Sequence, residues 1–117
     1  MLRDPRALLW DVCRAADAVA DFTRGRTIED YKADRLLRSA VERQLTIIGE
    51  AVAQLSRLTP DLAQRIPDQV RVIAFRNLLV HGYDVIVDEV VWAIVQVDLP
   101  ALRARAAQLQ EEIESGP

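Results

Sequence analysis

The spacing of apolar residues constrains the fold most, since they recur at steps of three and four over almost the whole chain. The longest such stretch covers residues 27–58 and contains no proline. Its apolar positions are Leu37, Val41, Leu45, Ile48, Val52 and Leu55. A period near 3.6 residues places these side chains on one face of an α-helix, whereas a half-buried strand would need strict alternation. The chain is therefore predicted to be all-α.

Capping residues divide this pattern into segments. The first helix is predicted over residues 4–22, because Asp4 and the proline that follows it open an apolar stripe that Gly25 ends. Thr27, with an aspartate three residues later, resembles a capping box, so one long second helix is predicted over residues 27–58. Its other flank is also apolar and offers surface to a second subunit. The residues on that flank are Leu36, Ala40, Ile47 and Ala51.

The second half of the chain is predicted to hold two more helices, joined to the first half by a connector. A third helix is predicted over residues 68–80, with Gly82 as its left-handed C-terminal cap. The last helix starts at Asp88 and meets Pro100, where a kink or a break and restart is expected because Asp98 can cap a new start. Counting a short turn in the connector, the prediction is an up-and-down bundle of four to five helices.

The length of the chain fits one domain, residues 1–117. Half of these residues are apolar, so a single core can bury roughly two-thirds of the unfolded surface. That core is predicted over about residues 5–113, with a short frayed tail at residues 114–117.

Composition excludes several classes of function. The formal net charge of −3 argues against a protein that coats nucleic acid by bulk electrostatics, so any contact with nucleic acid must be local. One cysteine, Cys13, and one histidine, His81, leave neither an intrachain disulfide nor a Cys/His zinc set, so no metal or cofactor is expected. The first residues lack the apolar core of a signal peptide, and no apolar run is long enough for a membrane span. A cytoplasmic protein without membrane contact is predicted.

Residues 76–83, RNLLVHGY, form the segment where function is expected. Histidine exchanges protons near neutral pH and arginine binds phosphate anions, so Arg76 and His81 together suggest chemistry on a phosphodiester. Both also have a structural interpretation, His81 as a cation that complements the helix dipole and Arg76 as a solvated charge. The apolar residues between them favour the functional interpretation, because they anchor the polar groups.

The sequence resembles a known family in three ordered blocks. Residues 76–83 match the signature R-N-x-x-x-H-x-Y of HepT-like toxins, a branch of the HEPN superfamily of small helical ribonucleases. Residues 42–51, ERQLTIIGEA, are similar to the family's E-R-x-L-x-I-I-G-E-A stretch on the long helix, and residues 91–102 are similar to its closing segment. One departure is the stretch 67–71, which lacks the tryptophan expected after the proline. The resemblance covers about residues 8–109 and implies a HEPN-like helical fold.

The resemblance implies that Arg76 and His81 form the site of a metal-independent endoribonuclease, the toxin of a type VII toxin–antitoxin system. Attack of a ribose 2′-hydroxyl on the adjacent phosphorus requires a base, an acid and a cation near the developing charge, and these side chains can supply them. Asn77 lies four residues before His81, so it can fix the imidazole or bind a phosphate oxygen. A narrow cleft of this kind favours single-stranded RNA as the substrate.

One chain is expected to hold half of this site. Arg76 and His81 are five residues apart, which is roughly 140° around an ideal helix, and each chain has one histidine. A homodimer that pairs the third helices would place two copies of both residues around one cleft, in agreement with the dimers that the resemblance implies. Arg65 and Arg71 would then add to the affinity for RNA.

Tyr83 has two interpretations. By its spacing alone it is a packing residue after a glycine cap. The resemblance implies instead that it accepts AMP from a cognate nucleotidyltransferase antitoxin of the MntA type. The added phosphodiester and adenosine would lie two residues from His81, where they would repel RNA and block the cleft.

A competing function is a non-catalytic helical partner subunit of a nucleotidyltransferase, which binds nucleotide or regulates that enzyme. The presence of both Arg76 and His81 favours the ribonuclease, because a binding module has little need for both. Glu50 is interpreted either as a solvated charge or as a partner of Arg76, and the solvated charge is favoured. Cys13 is interpreted as a small buried apolar residue, and the two tryptophans as core or interface aromatics.

Overall fold

The computed structural model describes residues 4–115, apart from the side chains of Tyr83 and Ser115, and every regular element in that range is helical. The α-helical segments in the range are α1 (Pro5–Thr23), α2 (Ile28–Ala33), α3 (Arg35–Leu58), α4 (Pro60–Ala63), α5 (Gln69–His81), α6 (Asp88–Ala93) and α7 (Leu99–Ser115). A 3₁₀ turn at Tyr83–Val85 precedes α6, and a π-helical turn at Ile94–Asp98 joins α6 to α7. The predicted all-α helical bundle is confirmed.

The long helices pack side by side, with α1 and α3 in the middle. α3 packs against α1 and α5, and α1 also packs against α7. The core between them consists mainly of fully buried aliphatic side chains. Its largest fully buried members are Tyr31, Leu8, Leu9, Ile48, Leu55 and Leu109. The bundle therefore holds α1 and α3 from several sides, whereas α5 packs mainly on α3.

The first helix begins as predicted. Asp4 caps α1 by accepting a hydrogen bond from the backbone N–H of Arg6 at 2.7 Å, and Pro5 occupies the first turn. Gly25 has a left-handed backbone conformation with φ of 74°, which an L side chain rarely adopts. This glycine therefore turns the chain away from α1.

The prediction of one helix over residues 27–58 is wrong, because the segment forms two helices. The capping box exists, since the backbone N–H of Asp30 donates to the Thr27 hydroxyl and the Asp30 carboxylate accepts from the backbone N–H of Thr27. At Asp34, however, the backbone is extended, and the carboxylate accepts from the backbone N–H of Leu37 at 3.0 Å. An aspartate that satisfies free N–H groups in this way competes with continuation of the helix, so α3 starts afresh.

The predicted second apolar flank of α3 is divided between the core and the surface. Ala51 is buried, and Ala40 and Ile47 are partly buried. Leu36 remains 80% exposed. Most of the flank therefore packs within the subunit, and it lends little support to a second one.

The interruption predicted near Pro100 takes the form of a π-helical turn. Asp98 belongs to this wider turn and does not cap a new helix, so of the two predicted alternatives, a kink or a break and restart, the break and restart is wrong. Proline lacks an N–H and its ring crowds the preceding turn, and a π-helical turn accommodates both. α7 continues to Ser115, inside the segment predicted as a frayed tail, and residues 116–117 lie outside the described range. Along residues 4–115, none of the helices combines the length and the apolarity that a membrane span requires.

Candidate active site

α3 and α5 come into close contact at Gly49. A Cβ atom on Gly49 would lie 2.1 Å from Cβ of Arg76 and 2.7 Å from its Cγ. Atoms at such distances overlap, so any other residue at this position would force α5 away from α3. The glycine therefore determines how closely Arg76 approaches the long helix.

Two neighbours hold the guanidinium of Arg76. Its Nη2 donates to Oε1 of Glu50 at 2.6 Å, and its Nη1 donates to Oδ1 of Asn77 at 3.0 Å. The Arg76 side chain is 25% exposed and that of Glu50 is 47% exposed. The favoured interpretation of Glu50 as a solvated charge is wrong, because the close approach of the helices brings it into an ion pair with Arg76.

Part of the guanidinium stays free for a further partner. Nε is buried and has no hydrogen-bond partner among the described residues. Each terminal nitrogen donates once to the neighbours named above, and each carries a second N–H. A quarter of the side chain is exposed, and these second N–H groups are the candidate donors to an anion.

His81 is the last residue of α5, and its side chain is exposed. No hydrogen bond within the described residues joins it to Arg76 or Asn77. Asn77 is exposed as well and is hydrogen-bonded to Arg76, not to the imidazole. Arg76 contacts α3 while His81 reaches solvent at the helix end, as their angular offset predicts.

Gly82 ends α5, but without the predicted left-handed conformation. Its φ is −120° and its ψ is 39°, and its N–H donates to the carbonyl of Leu78 at 2.7 Å. A Cβ atom on Gly82 would lie 2.8 Å from Cδ1 of Leu78. The φ of Gly82 does not require glycine, and an added Cβ would need only a shift of the end of the Leu78 side chain. Tyr83 begins the 3₁₀ turn that follows, and its side chain lies outside the described part of the structure.

The two arginines expected to assist RNA binding differ in their surroundings. Arg65 donates through Nη2 to both carboxylate oxygens of Glu112, at 2.7 and 3.0 Å. Arg71 lies on α5, its side chain is 82% exposed, and its Nη1 lies 4.0 Å from a carboxylate oxygen of Asp68. Of the two, Arg71 is the one whose charge is more accessible to an anion.

Apolar side chains are exposed on and beside α5. The residues are Val70 at 74%, Val80 at 41%, Val85 at 58%, Val87 at 51% and Val90 at 51% exposure. Among the thirteen residues of α5, all of which the structure describes, Leu79 is the one that is buried, with 8% exposure. Exposed apolar residues in this number are typical of a surface that another molecule covers.

Other side chains with reactive groups have structural surroundings. Cys13 is buried, and burial raises the pKa of its thiol, which agrees with its interpretation as a small apolar residue. Within the described range, no three or more His, Cys, Asp or Glu residues are arranged to hold a metal ion.

Comparison with known proteins identifies the family. Residues 12–109 match the family model described as "Ribonuclease HepT-like". The chain is 31% identical over 103 residues to "Putative RNase MJ1380" of Methanocaldococcus jannaschii, a match that covers 86% of this chain and 92% of the relative. It is 30% identical over 115 residues to "Probable ribonuclease HepT" of Thermococcus cleftensis, covering 95% of this chain and 100% of the relative. None of the solved structures matches the chain significantly.

A helical bundle whose α5 carries the Arg76 to His81 motif defines a small HEPN-type ribonuclease. The chain belongs to the HepT-like ribonuclease family. The family predicted from three sequence blocks is thus confirmed, and so is the prediction of a ribonuclease.

Proposed function

We propose that this ribonuclease is a metal-independent endoribonuclease and the toxin of a type VII toxin–antitoxin system, with Arg76 and His81 as its catalytic residues. One observation carries the proposal. The Arg76 guanidinium is held by Glu50 and Asn77 and still has exposed surface, five residues before the one histidine of the chain. A fixed, partly exposed guanidinium is suited to bind a phosphate that reacts beside an imidazole.

The proposed reaction needs proton transfer and charge stabilisation only. The ribose 2′-oxygen forms a bond to the adjacent phosphorus, and the bond from phosphorus to the 5′-oxygen of the next nucleotide breaks. One imidazole takes the proton of the 2′-hydroxyl, and a second, protonated imidazole gives a proton to the leaving 5′-oxygen. Arg76 stabilises the charge that develops on the phosphorane oxygens. The products are a 2′,3′-cyclic phosphate and a 5′-hydroxyl end.

Two imidazoles require two copies of the chain, so the site is proposed to be completed in a homodimer paired through α5. The exposed valines on this helix and in the residues that follow it along the chain support such a pairing, because Leu79 is the one residue of α5 that is buried within the subunit. A two-fold contact would cover apolar surface and gather two copies of residues 76–81 in one cleft. Asn77, hydrogen-bonded to Arg76, would orient the guanidinium in that cleft.

Neutralisation is proposed to occur at Tyr83 through a cognate nucleotidyltransferase antitoxin of the MntA type. The tyrosine hydroxyl would attack the α-phosphorus of ATP and release pyrophosphate, which leaves AMP on the side chain. The supporting observation is position, since the backbone turn that starts at Tyr83 follows directly after Gly82 and the exposed His81. A phosphodiester there would oppose RNA by charge and by bulk.

Cleavage of single-stranded RNA in excess EDTA tests the nuclease. The wild-type protein, verified by mass to carry no AMP, is compared with His81→Ala, Arg76→Ala and a charge-matched control, Arg57→Ala, which removes an exposed arginine on α3. We expect the wild type and the control to leave 2′,3′-cyclic ends and the two site variants to lose at least about 100-fold in rate. An unmodified dimer that does not cleave RNA would overturn the proposal in favour of a non-catalytic partner subunit.

Incubation with the antitoxin and ATP tests the neutralisation. Wild-type protein should gain the mass of AMP and lose nuclease activity, whereas Tyr83→Phe should stay unmodified and active. Full inhibition of Tyr83→Phe without a mass change would show that the antitoxin acts by binding alone.

A further inference from the structure

The guanidinium that the proposed function assigns to the phosphate already has a carboxylate partner. Glu50 lies 2.6 Å from Nη2, and both side chains keep some exposure. A paired carboxylate weakens the attraction of an arginine for another anion, because it offsets the positive charge at short range. The pair therefore lowers the affinity for a phosphate in the ground state.

Orientation is what the pair contributes. The Arg76 side chain leaves α5 against Gly49, where the helices are so close that a Cβ atom cannot fit. From there Glu50 holds Nη2 and Asn77 holds Nη1, so both ends of the guanidinium are fixed. A free arginine side chain loses rotamer entropy when it is ordered. The contacts with Glu50 and Asn77 order the Arg76 side chain before RNA binds, so less entropy is lost on binding.

We propose that Glu50 is a positioning residue for Arg76, acting through the guanidinium without touching the RNA. Gly49 precedes Glu50 on α3, and because it has no side chain the two helices approach closely enough for Glu50 to pair with Arg76. The inference rests on the proposed function of Arg76. With the guanidinium fixed in this orientation, its remaining N–H groups can align with the equatorial oxygens of the phosphorane, where the charge is greater than in the singly charged phosphodiester. Glu50 therefore favours the transition state over the ground state.

Steady-state cleavage by Glu50→Ala and Glu50→Gln gives the first test. We expect Glu50→Ala to lower kcat by about 10- to 100-fold while KM stays constant or falls, since a mobile but unpaired arginine binds phosphate without aligning it. Glu50→Gln keeps an oxygen that accepts from Nη2, so its kcat should recover to within about threefold of wild type. Glu111→Ala, which removes an exposed carboxylate on α7, is the charge-matched control and should leave both constants unchanged.

Binding of a 2′-O-methyl RNA, which cannot be cleaved, gives a second test by fluorescence anisotropy. Glu50→Ala should bind it several-fold more tightly than wild type, and this gain should vanish when Arg76→Ala is also present. A gain of the same size without Arg76 would mean that Glu50 repels RNA directly, which overturns the inference.

The outcomes separate this inference from the proposed function. If wild type cleaves and Arg76→Ala does not, while Glu50→Ala matches the Glu111→Ala control, the positioning role is wrong and the nuclease stands. A raised KM in Glu50→Ala, or an equal loss of kcat in the glutamine variant, also overturns positioning through Arg76. Failure of the wild type itself to cleave would overturn the proposed function before any Glu50 variant is measured.

Discussion

The two helices that meet at Gly49 use their apolar residues differently. α3 has one stripe, and the stripe is buried from Leu37 to Leu55 against α1 and its neighbours. α5 is just as rich in apolar residues, yet Leu79 is its buried one while Val70 and Val80 remain exposed. An apolar side chain is buried only where a neighbouring helix packs against it. The main neighbour of α5 is α3, which covers one side of it.

This contrast separates the residues that stabilise the fold from the proposed catalytic residues. α3 supplies core side chains along its whole length, so its loss would cost the fold. α5 supplies Arg76, Asn77 and His81, and it depends on α3 at the point where Gly49 and Glu50 meet the arginine. Changes in the α3 core should therefore affect stability, and changes at the helix contact should affect catalysis.

The largest expected effect is a loss of stability on truncating a buried core residue of α3. Leu55→Ala empties a fully buried position on α3 and should lower the free energy of unfolding by about 2–5 kcal/mol. Leu36→Ala, on the same helix but 80% exposed, should stay within about 0.5 kcal/mol of wild type. Urea unfolding at one protein concentration measures both, and similar losses in the two variants would contradict the core assignment.

The next effect falls on the contact between the helices. Gly49→Ala forces α5 away from α3 and should cost about 1–3 kcal/mol of stability, with kcat reduced by about 10- to 100-fold in the fraction that remains folded. Gly25→Ala is the matched control. A Cβ atom at Gly25 would meet no other atom, but the residue has a left-handed φ. The substitution should therefore lower the free energy of unfolding by about 1–2 kcal/mol and leave kcat unchanged. Unchanged kcat in Gly49→Ala would show that the contact does not set the catalytic geometry.

A smaller effect is expected at the start of α3. Asp34→Ala removes the side chain that caps the helix at Leu37 and should destabilise the protein by about 1 kcal/mol. Asp34→Asn retains an oxygen acceptor and should lose less. Thermal unfolding of both variants checks the order, and a more stable alanine variant would argue that α2 and α3 prefer to join.

The smallest effect concerns a charge on α3 and depends on pH. Burial raises the pKa of Glu42, and the negative charge of Asp88 raises it further. Because the folded state favours the protonated carboxyl, ionised Glu42 destabilises the fold. This cost develops as pH rises through the unfolded pKa of about 4.3 and is complete above the raised folded value. Glu42→Gln should therefore be more stable than wild type at neutral pH.

The advantage of Glu42→Gln should disappear as pH falls below about 4.3. Melting temperatures across this range measure it, and the exposed Glu111→Gln serves as the control. An advantage that grew on acidification would contradict the direction of the shift.

The sequence was sufficient for features whose partners lie within a few residues. The cap at Asp4, the capping box at Thr27 and the helical assignment of residues 69–80 all follow from neighbours along the chain. The site motif was also visible, because residues 76–83 lie in one segment. Its partner Glu50 was misjudged, since it lies 26 residues before Arg76 and meets it only when the helices pack.

What the sequence by itself determined was the helical class, most helix starts and the family, because apolar period, caps and motifs are local patterns. The tertiary structure decided which apolar faces are buried, that Glu50 pairs with Arg76, and that Gly49 is needed for close packing of the two helices. It also showed that Asp34 starts a new helix, where period alone had predicted continuity. These outcomes depend on atoms that are distant along the chain, and only the packed helices bring such atoms within contact distance.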